Sequence, residues 1–298
     1  MDPATFLKAL LHSSSSSLRS IQMRLDVAKF GLLDSMRFTA LKSLRLTSET
    51  FQVTDERSFS SFIGDSLTSL VVPYGFESEL DLLSEVGFIP SLETLVLFSY
   101  WRECVDGSPR IPSKVWKKIV GFIELNPQIT TLVLENGYTR ESLLSIIAAT
   151  RYHDNLKKLS FGVSHKIFWQ PLSELCCLSQ VEVLRITCIY YDDGWSTYHD
   201  KLAISVTPLA KIRRLIFEGE IYHFPDRYNQ MNHRDADAYY ARFKPGTIDW
   251  AFHEAKMSSF ASNYIRALPK LEFILIGRII FKVQENRGVR EPVLDRRL

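Results

Sequence analysis

The sequence has little of what marks several protein classes. Its four cysteines form no C-x-x-C pair and it carries no N-x-[ST] sequon, which together favour a reducing, intracellular setting, cytoplasmic or nuclear. No run approaches about 18 apolar residues and no basic leader opens the chain, so we predict neither a membrane span nor a signal peptide. With 36 basic and 34 acidic residues, the charge is too balanced for a dedicated nucleic-acid-binding protein.

The sequence motifs of nucleotide binding and of common catalysts are absent as well. There is no G-x-G-x-x-G, no G-x-x-x-x-G-K-[ST] and no G-x-S-x-G. Four possible metal ligands share one insertion but match no zinc spacing: His223, Asp226, His233 and Asp235. Asp192 and Asp193 before Gly194 could bind a cation, although this run is more typical of a turn. We therefore predict no enzyme, no cofactor and no metal site.

What the sequence does contain is a repeated six-residue core of the form L-x-x-L-x-L. The cores begin at Leu18, Leu41, Leu67, Leu92, Ile129, Leu156, Val181, Ile212 and Leu271. Most successive starts are 23 to 31 residues apart, with two longer gaps of 37 and 59. Such self-similarity at about 20–29 residues is typical of leucine-rich repeats, whose units must stack to bury their apolar sides.

Alternation along a strand divides each core between two surfaces. Leu44 and Leu46 are expected to point into a shared interior, while Arg45 and Thr47 point to the opposite face. Helix-like segments lie between the cores, at 28–38, 77–86, 113–124, 139–150, 170–178, 201–209 and 248–267. The predicted fold is an α/β leucine-rich repeat solenoid, a horseshoe with a parallel sheet on the concave face and helices on the convex face.

A single domain over residues 1–298 is predicted, because solenoids lengthen without splitting. Residues 1–17 form an N-terminal helix and a serine-rich loop, and residues 18–277 form about nine irregular repeats. Residues 278–298 form a capping β-hairpin and tail, with 285–288 as a four-residue turn. Insertions after the fourth, seventh and eighth strands, at 99–112, 189–200 and 218–247, would lie on one face of the array.

The chain resembles the leucine-rich region of fungal F-box proteins. The resemblance is carried by 6–11 (FLKALL), 18–25 (LRSIQMRL) and 267–277 (ALPKLEFILIG), followed by the closing hairpin. It implies the substrate-recognition part of an F-box-type ubiquitin ligase, which docks a Skp-type adaptor through an F-box placed before the repeats. Residues 1–17 are too few for that module, so an adaptor is expected only if an F-box lies upstream. The alternative is a free-standing scaffold or regulator without a ligase.

The predicted binding surface combines the concave face with the insertion loops. Aromatic residues fill the insertions, and tyrosine and tryptophan are favoured at interface hot spots, although these rings could instead fold back and fill the core. Charges on the concave face are of mixed sign, which favours a protein partner over a polyanion. The candidate partner-binding residues are Trp101, Tyr190, Tyr191, Trp195, Arg185 and Arg214.

Overall fold

The computed structural model describes residues 3–24, 37–47, 63–73, 83, 86–98, 113–138, 140–163, 178–188, 199–218, 248–276 and 279–295. The chain is α/β, with a mostly parallel open sheet whose strands follow one another in chain order. It divides into two compact units, Met1–Ser160 and Phe161–Leu298. These are called unit one and unit two, and β6 (Lys158–Val163) contains the boundary.

The described residues of unit one form the first five strands and three α-helices. The strands are β1 Ser20–Arg24, β2 Ser43–Thr47, β3 Ser69–Pro73, β4 Thr94–Phe98 and β5 Thr131–Tyr138. The helices are α1 Pro3–Ser14, α2 Ser113–Leu125 and α3 Arg140–Ala149, followed by a 3-10 turn at Thr150–Tyr152. These helices occupy three of the segments in which apolar residues recur at helical spacing.

In unit two, the part of the chain that the structure describes forms three parallel strands, an antiparallel hairpin and two helices. The strands are β7 Val183–Cys188, β8 Arg214–Glu218, β9 Phe273–Ile276, β10 Ile279–Asn286 and β11 Val289–Leu294. The helices are α4 His199–Val206 and α5 Ile248–Ala267. β10 pairs antiparallel with both β9 and β11, so the predicted C-terminal hairpin is confirmed.

The repeated cores lie side by side in register within each unit. In unit one Leu44, Leu70, Leu95 and Leu132 occupy successive strands at the same level, and all four are fully buried. In unit two Leu184 pairs with Leu215, which pairs with Ile274. The aliphatic positions that recur in the sequence therefore form continuous buried rows, as expected of stacked repeats.

One backbone pattern accompanies every described parallel step. The carbonyl just before a strand accepts two N–H groups from the next core, as Arg19 does from Lys42 and Ser43, at 2.8 and 3.0 Å. The carbonyls that do the same are those of Lys42, Thr68, Glu93 and Thr130 in unit one, and Glu182 and Arg213 in unit two. Because the same main-chain groups bond each time, the spacing between cores is set by the backbone rather than by particular side chains.

A tight turn leads into each core, and its first residue is usually apolar. Eight cores bond their first N–H to the carbonyl three residues earlier, at distances of 3.0 to 3.4 Å. That earlier residue is buried in seven of them: Phe38, Ile89, Asn126, His153, Leu178, Leu209 and Leu268. Two of these buried residues are polar, and the structure treats them differently.

Asn126 is fully buried and links two consecutive repeats of unit one. Its Oδ1 accepts the N–H of Ile89 at 2.9 Å, while its Nδ2 donates to the carbonyls of Gly87 at 3.0 Å and Phe122 at 2.8 Å. Gln128 adds a further donation to Oδ1 at 3.1 Å. The asparagine thus satisfies backbone groups that the tight turn would otherwise leave buried without partners.

His153 is also buried, but it has no comparable set of partners. Among the residues that the structure describes, neither ring nitrogen has a hydrogen-bond partner of normal geometry. Burial lowers the pKa of His153, and an interaction with the backbone of Ile123 opposes that shift only in part. The ring is therefore held in the neutral form that an apolar interior favours.

Arg290 of β11 ties the hairpin of unit two to the end of α5. Its guanidinium donates to the carbonyls of Leu268 at 3.0 Å, Ile265 at 3.5 Å and Leu271. The carbonyls of Ile265 and Leu268 lie at the end of α5, where the helix dipole favours a positive charge, and Leu271 begins the ninth core. The hairpin therefore caps α5 as well as ending the parallel sheet.

The hairpin turn is shorter than the sequence predicted. Asn286 pairs with Val289, so only Arg287 and Gly288 form the turn, and the predicted four-residue turn over 285–288 is wrong. Both turn residues have positive φ, 52° and 79°. A two-residue hairpin loop matches the right-handed strand twist only in such a conformation, and this places Glu285 and Asn286 inside the strand.

The helix predictions have mixed outcomes. Those at 113–124, 139–150, 201–209 and 248–267 are confirmed with small changes of boundary. Within α3, Leu143, Ile146 and Ile147 are buried. Most of the helices predicted at 28–38, 77–86 and 170–178 lies outside the described residues, namely 28–36, 77–82, 84–85 and 170–177. Among the helices that are described, none combines the length and apolar character that a membrane crossing requires.

Candidate functional site

The third and fifth positions of each core point away from the buried side of the sheet. The burial pattern alternates accordingly, with the fourth and sixth positions buried and the third and fifth half-buried or exposed. The surface made by these positions is called the open face of a unit. It presents side chains from adjacent strands about 4.8 Å apart, so its composition can be read row by row across the sheet.

The open face of unit two has an apolar centre. One row runs Arg185, Ile216, Leu275 and Ile280, because these residues pair in turn across β7, β8, β9 and β10. The next row runs Val183, Arg214, Phe273, Lys282 and Val293. Four half-buried apolar side chains adjoin at the middle, and they are called the apolar patch: Ile216, Phe273, Leu275 and Ile280.

Charged residues surround the apolar patch, and most of them are paired. Arg185 forms an ion pair with Glu218 on the next strand, and Lys282 forms one with Asp295 at 2.8 Å. Both pairs are partly exposed, so each stabilises the fold by no more than about 1 kcal/mol. Arg214 is exposed beside Phe273 and has no ion-pair partner among the described residues. One positive charge is therefore available at the edge of the patch.

A third ion pair, Arg213–Glu272, joins the residues just before β8 and β9, and this edge of the sheet is called the rim. Arg213 donates to Glu272 from Nε at 2.9 Å and from Nη2 at 2.6 Å. The hydrogen bond to Glu272, aided by its charge, raises the pKa of Arg213. Glu182, Arg213 and Glu272 occupy the same position in three successive cores, so charges alternate in sign along this rim.

Below the open face, the interior of unit two holds a buried polar pair among aromatic rings. His199 Nδ1 lies 2.9 Å from Tyr264 Oη, and both residues are almost fully buried. The rings of Phe217 and Phe260 pack against His199 at centroid distances of 5.2 and 4.4 Å. This cluster joins α4 and α5 to β8, the strand that carries Arg214 and Ile216. It has no exposed surface and serves to position that strand.

The open face of unit one has a similar layout with different chemistry. Its fifth-position row runs Gln22, Arg45, Val71, Val96 and Val133 in register. The third-position row consists of hydroxyl residues on all five strands: Ser20, Ser43, Ser69, Thr94 and Thr131. Three half-buried valines therefore lie beside a line of hydroxyl groups, with Arg45 at one end.

Two of the six residues predicted to bind a partner can be placed. Arg185 and Arg214 lie on adjacent strands of the unit-two open face, both exposed. Trp101, Tyr190, Tyr191 and Trp195 lie outside the described residues, as do the possible cation ligands at 192–193 and 223–235. Whether the insertion aromatics bind a partner or fill the core stays a prediction.

The apolar patch is the part of the candidate site that sequence reasoning missed. Among the strand residues, only the charged Arg185 and Arg214 were predicted to bind a partner. Ile216 and Leu275 occupy the same position as Arg185 in later cores and were not predicted. The signal was present, because a residue between two buried strand positions faces outward whatever its polarity. An exposed position filled by isoleucine or leucine is more informative than one filled by arginine.

The described residues contain no group of three histidine, cysteine, aspartate or glutamate side chains that could hold a metal ion. Comparison with models of protein families gives no match to the chain, and comparison with curated proteins gives none either.

Proposed function

We propose that this chain is a protein–protein interaction module and that the open face of unit two binds a segment of a partner protein. The observation that carries the proposal is the apolar patch, in which four large side chains adjoin on the outward side of the sheet. Its charged rim resembles the polar border that surrounds the apolar centre of many interfaces.

The size of the patch indicates what the partner must supply. Full burial of a large aliphatic or aromatic side chain contributes roughly 1.5–3 kcal/mol, and no more than about a third of each of these residues is still exposed. Covering all four therefore adds at most about 2–4 kcal/mol, whereas micromolar affinity requires about 8 kcal/mol before other costs are met. Polar contacts have to contribute the remainder, and Arg214 is the nearest available charge.

The expected partner segment carries apolar side chains together with a carboxylate. The apolar side chains would cover Leu275 and Ile280, and the carboxylate would meet the guanidinium of Arg214. Arginine suits this role because its planar group accepts a carboxylate in two parallel hydrogen bonds. A basic segment would instead place like charges together at the edge of the patch.

We also propose that the cores are leucine-rich repeats arranged as a horseshoe, supported by the repeated backbone hydrogen bonds and buried rows within each unit. On this proposal, and on the resemblance to fungal F-box proteins, the chain is the recognition part of a ubiquitin ligase. The alternative is a scaffold or regulator without a ligase. Binding of a purified Skp-type adaptor to the protein expressed from its whole gene distinguishes them, because only the first requires it.

A selection experiment tests the binding surface. The full chain is immobilised and challenged with a displayed library of random dodecapeptides, and enriched peptides are measured by fluorescence anisotropy. We expect apolar residues flanking aspartate or glutamate to be enriched. Replacing Ile216 and Leu275 together by lysine should weaken these peptides by about tenfold or more, since it puts charges at the centre of the patch.

Val289→Lys provides the matched control. Val289 is 57% exposed at the end of the hairpin, away from the apolar patch, so the same kind of substitution should change affinity less than about twofold. Circular dichroism melting checks that each variant folds. If no peptide is enriched, or if enriched peptides bind the double lysine variant as tightly as the wild type, the open face of unit two is not the binding surface.

A further inference from the structure

The edge of unit one at which the chain enters the sheet carries a row of exposed apolar residues. In three successive repeats, the residue four places before the core is large and apolar, just ahead of the buried residue of the tight turn. These residues are Phe88, Leu125 and Tyr152, which are 57%, 54% and 78% exposed. They are called the edge row. The same position holds exposed Arg37 and half-buried Ile63 in earlier repeats, so the edge row is a local feature of unit one.

Hydrogen bonds between neighbouring repeats hold the members of the edge row side by side. The side chain of Asn126 accepts the N–H of Ile89 at 2.9 Å, and these two residues directly follow the second and the first member of the row. The carbonyl of Thr130 accepts the N–H of Lys157 at 2.9 Å, which joins the second repeat of the row to the third. The three exposed side chains therefore adjoin in chain order along the edge.

The two ends of the edge row differ in charge. Glu93 lies beside Phe88, because these two residues flank a tight turn of only four residues, and Lys157 lies beside the third member of the row for the same reason. Glu93 and Lys157 are both exposed, and among the residues that the structure describes neither forms an ion pair. The guanidinium of Arg151 lies 5.7 Å from the ring centroid of Tyr152. The charged residues of this second end are Arg151, Asp154 and Lys157, with one net positive charge. The row therefore has an acidic end and a basic end.

Opposite charges at its two ends make the edge row complementary to a second copy of itself. A two-fold axis that crosses the row at Leu125 places Phe88 opposite Tyr152 of the other copy. The same axis places Glu93 opposite Lys157 of the other copy, and each contact occurs twice, as symmetry requires. We propose that two copies of this chain associate through the edge row of unit one.

The area of the edge row indicates a weak association. Aromatic residues bury about 150–250 Å² each, so the exposed parts of Phe88 and Tyr152 amount to roughly 200–350 Å² per copy. The other exposed apolar residues of this surface are Leu125, Pro90 and Pro127. Together two copies cover on the order of 1,000 Å², which is close to the lower limit for a specific interface. The exposed carboxylate of Glu124, beside Leu125, would also lie near its own copy, so we expect a Kd of about 10–100 µM.

Sedimentation equilibrium of the full chain tests the proposal. Between about 1 and 300 µM we expect monomers to give way to dimers and to nothing larger, because a two-fold interface closes on itself. Leu125→Glu puts two like charges at the axis and should raise the Kd about tenfold or more. Ile204→Glu is the matched control, since Ile204 is 72% exposed on α4 of unit two, and it should change the Kd less than about twofold. Circular dichroism melting checks that both variants fold.

Exchange of the charged residues tests whether the two ends of the row meet. Glu93→Lys and Lys157→Glu each bring like charges together twice in the dimer, so each should raise the Kd about threefold to tenfold. A mixture of the two variants should associate about as tightly as the wild type, because only the mixed dimer pairs opposite charges at both ends. A chain that stays monomeric at every concentration would overturn the proposal and leave the edge row to a different protein. Unchanged association of Leu125→Glu, or a mixture that associates no more tightly than its components, would overturn it as well.

Discussion

Asn126 provides a quantitative test of how consecutive repeats are held together in unit one. Asn126→Ala removes the acceptor of the Ile89 N–H and the donor to the carbonyls of Gly87 and Phe122. Asn126 is fully buried, so water cannot replace these bonds at once. A buried group left unsatisfied costs about 1–3 kcal/mol, and structural relaxation will recover part of the loss. We therefore expect the free energy of unfolding of unit one to fall by about 3–4 kcal/mol.

Urea denaturation followed by circular dichroism measures the loss. With a slope of about 2–3 kcal/mol per molar urea, the midpoint should fall by on the order of 1 M. Hydrogen exchange of the peptide that contains Ile89 should accelerate more than exchange in unit two. Glu124→Ala, an exposed change two residues away, is the control and should alter stability by less than about 0.5 kcal/mol.

Asn126→Asp makes the test specific to hydrogen bonding. The aspartate keeps one acceptor for Ile89 but turns a second oxygen towards the carbonyls of Gly87 and Phe122, where it is repelled. When protonated, that carboxyl can donate to one carbonyl, so the deficit relative to wild type should shrink as pH is lowered towards 4. The role given to the hydrogen bonds of Asn126 would be refuted if Asn126→Ala lowered the free energy of unfolding by less than about 1 kcal/mol, or if Asn126→Asp did not lower it at neutral pH.

Three further predictions concern other single residues. Burial lowers the pKa of His153 below 6.5 in the folded chain, so the unfolded chain binds the proton more readily. The free energy of unfolding of unit one should therefore fall below pH 6.5, by at most about 1.4 kcal/mol per pH unit, and His153→Leu should remove this dependence on pH. Arg290→Met should destabilise unit two by about 1.5–3 kcal/mol, with Arg290→Lys intermediate. Arg287→Asn should stabilise unit two by a few tenths of a kcal/mol, since asparagine tolerates positive φ better.

Urea midpoints measured at pH 7.5, 6.5 and 5.5 check the first of these predictions, and an unchanged slope in His153→Leu would contradict it. Leucine is a suitable replacement because Leu178, Leu209 and Leu268 occupy the same turn position in other repeats. Midpoints at neutral pH check the two arginine predictions. Equal stability of Arg290→Met and wild type would show that the capping of α5 is unimportant, and a loss in Arg287→Asn would contradict the turn conformation.

The strands were predictable because their cause is local. Eight of the nine cores have buried residues at their first, fourth and sixth positions, so alternation within the repeats predicts that Leu95 and Leu132 face the same interior. The helix ending before Asn126-Pro127 was predictable for a similar reason, since proline disfavours a helical residue before it.

The bonding of Asn126 could not be predicted. Its partners Gly87 and Ile89 lie 39 and 37 residues earlier in the chain, and only the folded backbone brings them to its side chain. The hairpin turn was misjudged because glycine at 288 fits both a two-residue and a four-residue loop. The apolar patch was overlooked because its members come from three strands, one of them separated from the next by a long insertion.

The central claim is that the open face of unit two binds an acidic and apolar protein segment. A charge exchange tests this claim most directly. A selected peptide and its version with the acidic residue changed to lysine are each measured by anisotropy against wild type and Arg214→Glu. We expect each single change to weaken binding about tenfold and the two together to restore most of the loss, because opposite charges then meet again. Additive losses, or no effect of Arg214→Glu, would show that this face is not where the segment binds.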